Sequence, residues 1–232
     1  MSINIVTAGG IPVDGNHFSR NGYLNDQYFD FFAPPPISIA SWGGDLDYIQ
    51  NEIKKYEFSK SEHNSRSISN RLLDEPSLID LKKFIIGFVH RYTEKVLRST
   101  QKINLLNSWG NLETEGDSHP PHFHPNSYLS GVMFVKSEFD SPPLILENNL
   151  RPYQLSVDLF SDDKSFLPPN EFGNCNMRVA TIESIPGRVV LFPSPITHHV
   201  PKSKSKGERI TIAFNTYPEL PFGSESKVTH VF

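Results

Sequence analysis

A mainly β fold, an antiparallel sandwich or barrel with helices packed outside it, is what this chain predicts, and three observations carry the prediction. From Ile103 onward, short strand-like runs alternate with turns marked by Gly and Pro. Before them lie two apolar stripes at helical spacing. The composition, 37% hydrophobic and 21% charged over 232 residues, is ordinary for a globular protein and allows a single domain with a sizeable core.

Residues 1–36 read as an irregular N-terminal segment. They carry Gly9-Gly10, Gly15, Gly22 and three consecutive prolines at 34–36, with Tyr23, Tyr28, Phe29, Phe31 and Phe32 set among polar residues. Such a segment wraps a core or packs on a second subunit, and is compatible with a homodimer. Residues 37–232 are expected to form one domain, with helical support over 45–98 and a β core over 103–217. Asp45 to Phe58 puts Leu46, Ile49, Ile53 and Tyr56 on one stripe. Ser77 to Arg98 does so more strongly with Leu78, Leu81, Ile85, Phe88, Val89, Tyr92 and Val96, behind a Pro76 that suits only a helix start. Ser77 or Asp74 is the expected cap. These stripes are packing surface and brace one sheet.

Strands are expected at Ile103–Trp109, Tyr128–Lys136, Pro143–Glu147, Arg178–Glu183, Arg188–Phe192 and Arg209–Thr216. Ile185-Pro186-Gly187 is a turn. Residues 148–177, rich in Asn, Asp and Pro, form a long polar connection of the kind used as a lid or left disordered. Lys202-Ser203-Lys204-Ser205-Lys206 reads as a solvated hairpin loop.

The chemistry concentrates in His122-x-His124 and a distant His198, with Arg209 eleven positions later. Imidazole suits divalent iron, and two ligands flanking one residue reach the same ion from a strand end. A third His then closes one face and leaves the opposite face open, as in non-heme iron oxygenases. Two other histidines are expected to be non-ligands. His119 sits in a Pro-bounded turn, and His199 must face away from His198 if the segment is extended. A guanidinium at Arg209 would grip a carboxylate through parallel charge-assisted bonds. Alternation puts Arg209, Thr211, Ala213 and Asn215 on one strand face, while Ile210, Ile212 and Phe214 pack behind. The bland alternative is a surface ion pair of Arg209 with a residue such as Glu208.

The runs His122-Phe123-His124-Pro125-Asn126-Ser127-Tyr128-Leu129-Ser130-Gly131-Val132, Phe192-Pro193-Ser194 with His198 and Val200, and Glu208-Arg209 resemble the signature of a family of 2-oxoglutarate/Fe(II)-dependent oxygenases. The likeness extends weakly upstream through Ser108-Trp109-Gly110-Asn111, and covers roughly Pro34 to Tyr217. It implies a double-stranded β-helix (jelly roll, cupin-like). It also implies Fe(II) on His122, His124 and His198, and 2-oxoglutarate as co-substrate with its far carboxylate on Arg209. His124 stands where the wider superfamily has a carboxylate. Ser130, Thr211 and Asn215 are further candidates for the co-substrate pocket. Asn126, Trp109 and Asn111 are weaker, and Arg151 is a guess for an acidic substrate. The expected reaction is hydroxylation of an unidentified substrate by dioxygen, with release of succinate and CO2.

Two other readings stay open on the residues. One is a three-His dioxygenase that needs no 2-oxoglutarate. The other is a non-catalytic jelly-roll module holding a structural metal, closed by a fourth ligand such as His119 or Asp117. A net charge of −4 and scattered Lys/Arg give no nucleic-acid footprint. The single cysteine, Cys175, precludes an intrachain disulfide. With neither a signal-peptide pattern nor a long apolar run, a cytoplasmic protein without membrane attachment is expected.

Overall fold

The computed structural model describes residues 37–147 and 179–220, with the backbone of Ile5–Val6, Pro12–Val13, Phe222–Gly223 and His230–Val231. Two compact units are distinguished: Met1–Pro34 with Leu150–Met177, and Pro35–Asn149 with Arg178–Phe232. In the first, β1 (Ile5–Val6) pairs antiparallel with β2 (Pro12–Val13). The expectations for residues 1–36, the 148–177 connection, Arg151 and Cys175 otherwise lie outside the described residues.

The second unit holds β3 (Ser38–Ser41), α1 (Leu46–Ile53), β4 (Phe58–Lys60), β5 (Ser65–Ser67) and α2 (Ile79–Lys95). There follow β6 (Ile103–Glu113), β7 (His119–His122), β8 (Leu129–Lys136), β9 (Leu144–Glu147) and β10 (Val179–Ile182). β11 (Arg188–Pro193), β12 (Thr197–Val200), β13 (Arg209–Pro218) and the short pair β14 (Phe222–Gly223) and β15 (His230–Val231) complete it. One sheet has the order β3-β11-β8-β13-β6-β5-β4 and the other β10-β9-β12-β7. Their ladders are antiparallel throughout. This is the expected jelly roll, and all six expected strands are present.

Strand alternation sorts the large sheet into two faces. One face carries Met133, Val135, Val189, Leu191, Ile210, Ile212 and Phe214, which pack with Ile49, Ile53, Leu81, Ile85 and Phe88 of the two helices. The opposite face contributes Phe134, Val190 and Phe192 to a second cluster with Leu144, Leu146 and Val200 of the small sheet. Helices therefore brace the outside of the large sheet, as their stripes predicted, and the cavity opens between the sheets.

Several boundaries differ from expectation. α1 ends at Ile53, not Phe58, because Phe58 opens β4. Its N-cap is Asp45, whose carboxylate accepts from the Tyr48 N–H at 2.9 Å. Neither Ser77 nor Asp74 caps α2. A 3-10 turn at Pro76–Leu78 leads into it, and the Asp74 carboxylate is held by Arg71 and Lys82 instead. α2 closes at Lys95, and Arg98 turns the chain at φ 53°. β3, β4, β5, β7 and β12 are short or polar and gave no apolar alternation to read. The 202–206 run is not a hairpin: it links β12 to β13 across the two sheets. Ser203 and Ser205 are buried in it while the three lysines stay exposed.

Candidate metal centre and active-site cavity

Register on the small sheet assembles the histidines. His122 ends β7 directly opposite His198 on β12. His124 lies two residues past the strand, where its N–H donates to the Ser194 carbonyl at 3.0 Å and fixes the turn. The three ring centroids stand 4.3 Å (His122–His198), 5.1 Å (His124–His198) and 5.2 Å (His122–His124) apart. One nitrogen from each ring falls within 4.8 Å of the others. Nδ1 of His122 donates to the Pro120 carbonyl at 2.8 Å, and Nδ1 of His198 to the Ile196 carbonyl at 3.0 Å. A carbonyl only accepts, so both rings are held as the tautomer with Nε2 free. His124 is steadied edge-on by Trp109 at 6.0 Å.

These imidazoles are kept neutral. Burial pushes His198 down to about 3, against the Ile196 carbonyl and with help from the neighbouring histidines. Burial, then His122 and Arg66, brings His124 down to about 4. His122 is lowered by burial despite its bond to Pro120. Three convergent, neutral, oriented nitrogen donors fit a divalent transition metal. The two residues suggested as a fourth ligand are engaged elsewhere. His119 binds Glu113 at 2.7 Å, and Asp117 binds Lys60 at 2.5 Å and the Thr114 N–H at 2.9 Å. Among the described residues the group able to hold a metal is a trio, which is the donor number of an open site rather than of a closed structural one. His199 turns toward Glu147, 3.3 Å away.

Beside the trio lies a cavity of about 250 Å³ between the sheets. Its large-sheet wall is read off the pairing: Ala213 opposite Trp109, Thr211 opposite Asn111, and Arg209 opposite Glu113. Arg209, Thr211 and Ser130 line it, as do Trp109 and Asn111. Asn215 shares the face but is not on the lining. It accepts from Ser130 at 2.7 Å and donates to Asn107 at 3.1 Å. The Ser130 and Ser194 hydroxyls are 2.8 Å apart, which ties the two motif segments together.

Arg209 does not pair with Glu208, whose carboxylate is held by Lys54 at 2.6 Å and Lys136 at 3.3 Å. Its partner is Glu113. Nη1 donates to both Glu113 oxygens at 2.8 Å and Nε to the Ser184 hydroxyl at 3.1 Å. Nη2 makes no hydrogen bond among the described residues. Both residues are almost wholly buried, at 3% and 1% side-chain exposure. Burial alone would raise the Glu113 carboxyl, but the Arg209 charge and His119 hold it below the usual value. Burial pulls Arg209 down, opposed by Glu113. Glu113 was missed because the expected strand stopped at Trp109, whereas β6 runs on to Glu113. Only its register opposite Arg209 could have exposed it.

Arg66 was also missed. β5 pairs it with Asn111, and its guanidinium lies 4.1 Å over the Trp109 ring at the cavity rim.

Residues 107–215, which contain the histidine trio, Arg209, Glu113, Ser130, Trp109 and Asn111 but not Arg66, match the family model described as putative 2OG-Fe(II) oxygenase. These residues form a 2OG-Fe(II) oxygenase domain. The oxygenase has the fold of solved structures that are far apart in sequence. A 2OG-Fe(II) oxygenase-family oxidoreductase from Burkholderia pseudomallei superposes with a TM-score of 0.55 at 10% identity, over 78% of this chain and 83% of that one. HygX from Streptomyces hygroscopicus, solved with nickel, 2-oxoglutarate and hygromycin B, gives 0.55 at 11% identity over 82% and 85%. A prolyl hydroxylase from Trichoplax adhaerens, in complex with a peptide fragment of the hypoxia inducible factor oxygen degradation domain, gives 0.54 at 14% over 80% and 84%. No curated protein matches the sequence. The oxygenase uses Fe(II) and 2-oxoglutarate, which the family match and the three-histidine trio support.

Proposed function

We propose that His122, His124 and His198 hold the iron, that Arg209 receives the far carboxylate of 2-oxoglutarate, and that the reaction is hydroxylation of an organic substrate. The observation that carries the reading is the trio itself: two rings locked with Nε2 free and a third braced by Trp109, at the mouth of a cavity that reaches Arg209. With 2-oxoglutarate bound, Fe(II) supplies dioxygen activation, so that 2-oxoglutarate, O2 and a substrate C–H become succinate, CO2 and a C–OH.

The chain's own part is orientation. Glu113 and Ser184 pin Nη1 and Nε of Arg209 and leave the Nη2 edge to grip a carboxylate. Asn111 Nδ2 donates to the Thr211 hydroxyl oxygen at 3.1 Å, which leaves that hydroxyl's own proton free to be donated into the cavity. Phe192, 4.9 Å from the His198 ring, and Val132 give the site an apolar floor that excludes water.

Among the described residues no helix is long and apolar enough to cross a membrane. A cytoplasmic location and the absence of a nucleic-acid partner are further proposals, supported by the lone cysteine and the net charge of −4.

The test is an anaerobic titration of 2-oxoglutarate into the Fe(II)-loaded protein, followed by its visible charge-transfer band. Wild type is expected to develop the band, and Arg209→Ala to require about 10-fold or more 2-oxoglutarate, as loss of a charged hydrogen bond implies. Bound iron with no band at any concentration would transfer the assignment to a three-His dioxygenase that dispenses with 2-oxoglutarate.

A further inference from the structure

Charge in the cavity is unevenly distributed. Two arginines and five histidines line it, and no carboxylate does among the described residues. Arg209 is already neutralised by Glu113. The Arg66 side chain makes no ion pair or hydrogen bond among the described residues, and its guanidinium lies 4.1 Å over the Trp109 ring. The residue is exposed at the rim, yet its cavity neighbours take part of its hydration and lower its pKa.

Next to it in the ladder stands Asn111, only 5% exposed. Its Nδ2 is used by Thr211, but its Oδ1 is buried without a hydrogen-bond partner and lies on the cavity wall. A buried orphan acceptor costs roughly 1–3 kcal/mol, so a site that keeps one is shaped for a donor that arrives from outside. The Trp109 ring beneath Arg66 also meets His124 of the trio edge-on.

The proposal rests on the assignment above. Three neutral imidazoles leave a ferrous ion its two positive charges, which the two negative charges of 2-oxoglutarate match. Glu113 matches Arg209. Arg66 is then the one unmatched charge on the described lining.

We propose that Arg66, Trp109 and Asn111 form a substrate subsite that takes an anionic group, carboxylate or phosphate, on the compound to be oxidised. The anion pairs with the Arg66 guanidinium, held flat on Trp109, and an adjacent N–H or O–H of the same compound donates to Asn111 Oδ1. The oxidised carbon then lies on the metal side of Trp109.

The probes are sodium acetate and inorganic phosphate, titrated at constant ionic strength against a chloride control. The protein carries Trp42→Phe, which leaves Trp109 as its single tryptophan. Trp42 Nε1 is itself buried without a partner, so its removal strands no other group. The protein is loaded anaerobically with Fe(II) and saturating 2-oxoglutarate, with the visible band confirming the load. Expected is a saturable change in Trp109 emission with acetate or phosphate but not chloride, its midpoint raised at least 10-fold by Arg66→Gln. Whichever anion binds more tightly names the group. An emission that does not saturate, or a midpoint unmoved by Arg66→Gln in a protein with wild-type thermal stability, overturns the subsite. A chelate band that itself weakens in Arg66→Gln also overturns it, because Arg66 would then serve the co-substrate. If no band forms in the parent, the 2-oxoglutarate reading fails instead, and the same titration of the unloaded protein still decides Arg66.

Discussion

Glu113 decides what Arg209 is able to do. A guanidinium 3% exposed needs a counter-charge, and the carboxylate opposite it in the ladder supplies one. Removing one partner of such a pair leaves the other charge buried alone, which costs about 3–5 kcal/mol. Glu113→Ala is therefore expected to lower the unfolding free energy by about that much in urea titration, whereas Lys54→Ala, at an exposed pair with Glu208, changes it by less than about 1 kcal/mol. Equal losses in the two variants would show that Arg209 is solvated in solution. His119 shares the Glu113 carboxylate and takes a hydrogen bond from Asn64 at 3.0 Å, a structural role that fits the expectation of a non-ligand.

Between β8 and β13 the packing leaves no spare volume. Gly131 sits opposite Phe214, and a Cβ built there would lie 2.2 Å from the ring of that fully buried residue. The ring cannot swing aside inside the helix-facing core, so Gly131→Ala is expected to destabilise by about 1–3 kcal/mol, as overpacking does, measured by thermal or urea unfolding. The neighbouring residue on the other face, Ser130, would be displaced with it, and 2-oxoglutarate affinity should fall in the same variant. Gly87, with nothing within 4 Å of an added Cβ, is the control: Gly87→Ala in the middle of α2 should stabilise the helix by about 0.5–1 kcal/mol.

The two sheets divide the work of the whole molecule. The small sheet brings the three histidines together, and the large one presents Arg209, Thr211, Asn111, Trp109 and Arg66 across the cavity. Burying neutral imidazoles links stability to pH. His198 and His124 titrate near 3 and 4 in the folded protein but near 6.5 when unfolded. Between those values the unfolded chain binds protons that the native one refuses. Stability of the metal-free protein is thus intact above pH about 6.5 and lost as pH falls below it, by about 1.4 kcal/mol per pH unit for each of the two rings. Urea midpoints from pH 7.5 to 5 test this. His198→Phe should flatten the slope, and a slope unchanged by it would assign the loss to other groups. Fe(II) or another divalent ion added anaerobically should raise the midpoint at pH 7.5 and protect less at pH 5, since protons compete for the same nitrogens.

Much of this is legible in the sequence. Helix stripes predicted the outer brace because packing repeats every three to four residues. Strand alternation over Arg209–Asn215 predicted which side chains share a face, because a strand has no other choice. The spacing of His122 and His124 put two imidazoles at one strand end, and the family resemblance named His198 as the third. Glu113 and Arg66 were not legible. Each is an unremarkable charge in a polar context, Arg66 on a three-residue strand with no apolar pattern. Their roles arise only from register, which sets Glu113 opposite Arg209 and Arg66 opposite Asn111. Local sequence thus determined the elements, through periodicity, and named the three candidate donors, while the register of β7 and β12 brought His198 opposite His122. Tertiary structure alone decided which charges are neutralised and which one faces the cavity without a counter-charge among the described residues. Pairing across strands some 45 to 100 residues apart leaves no local trace.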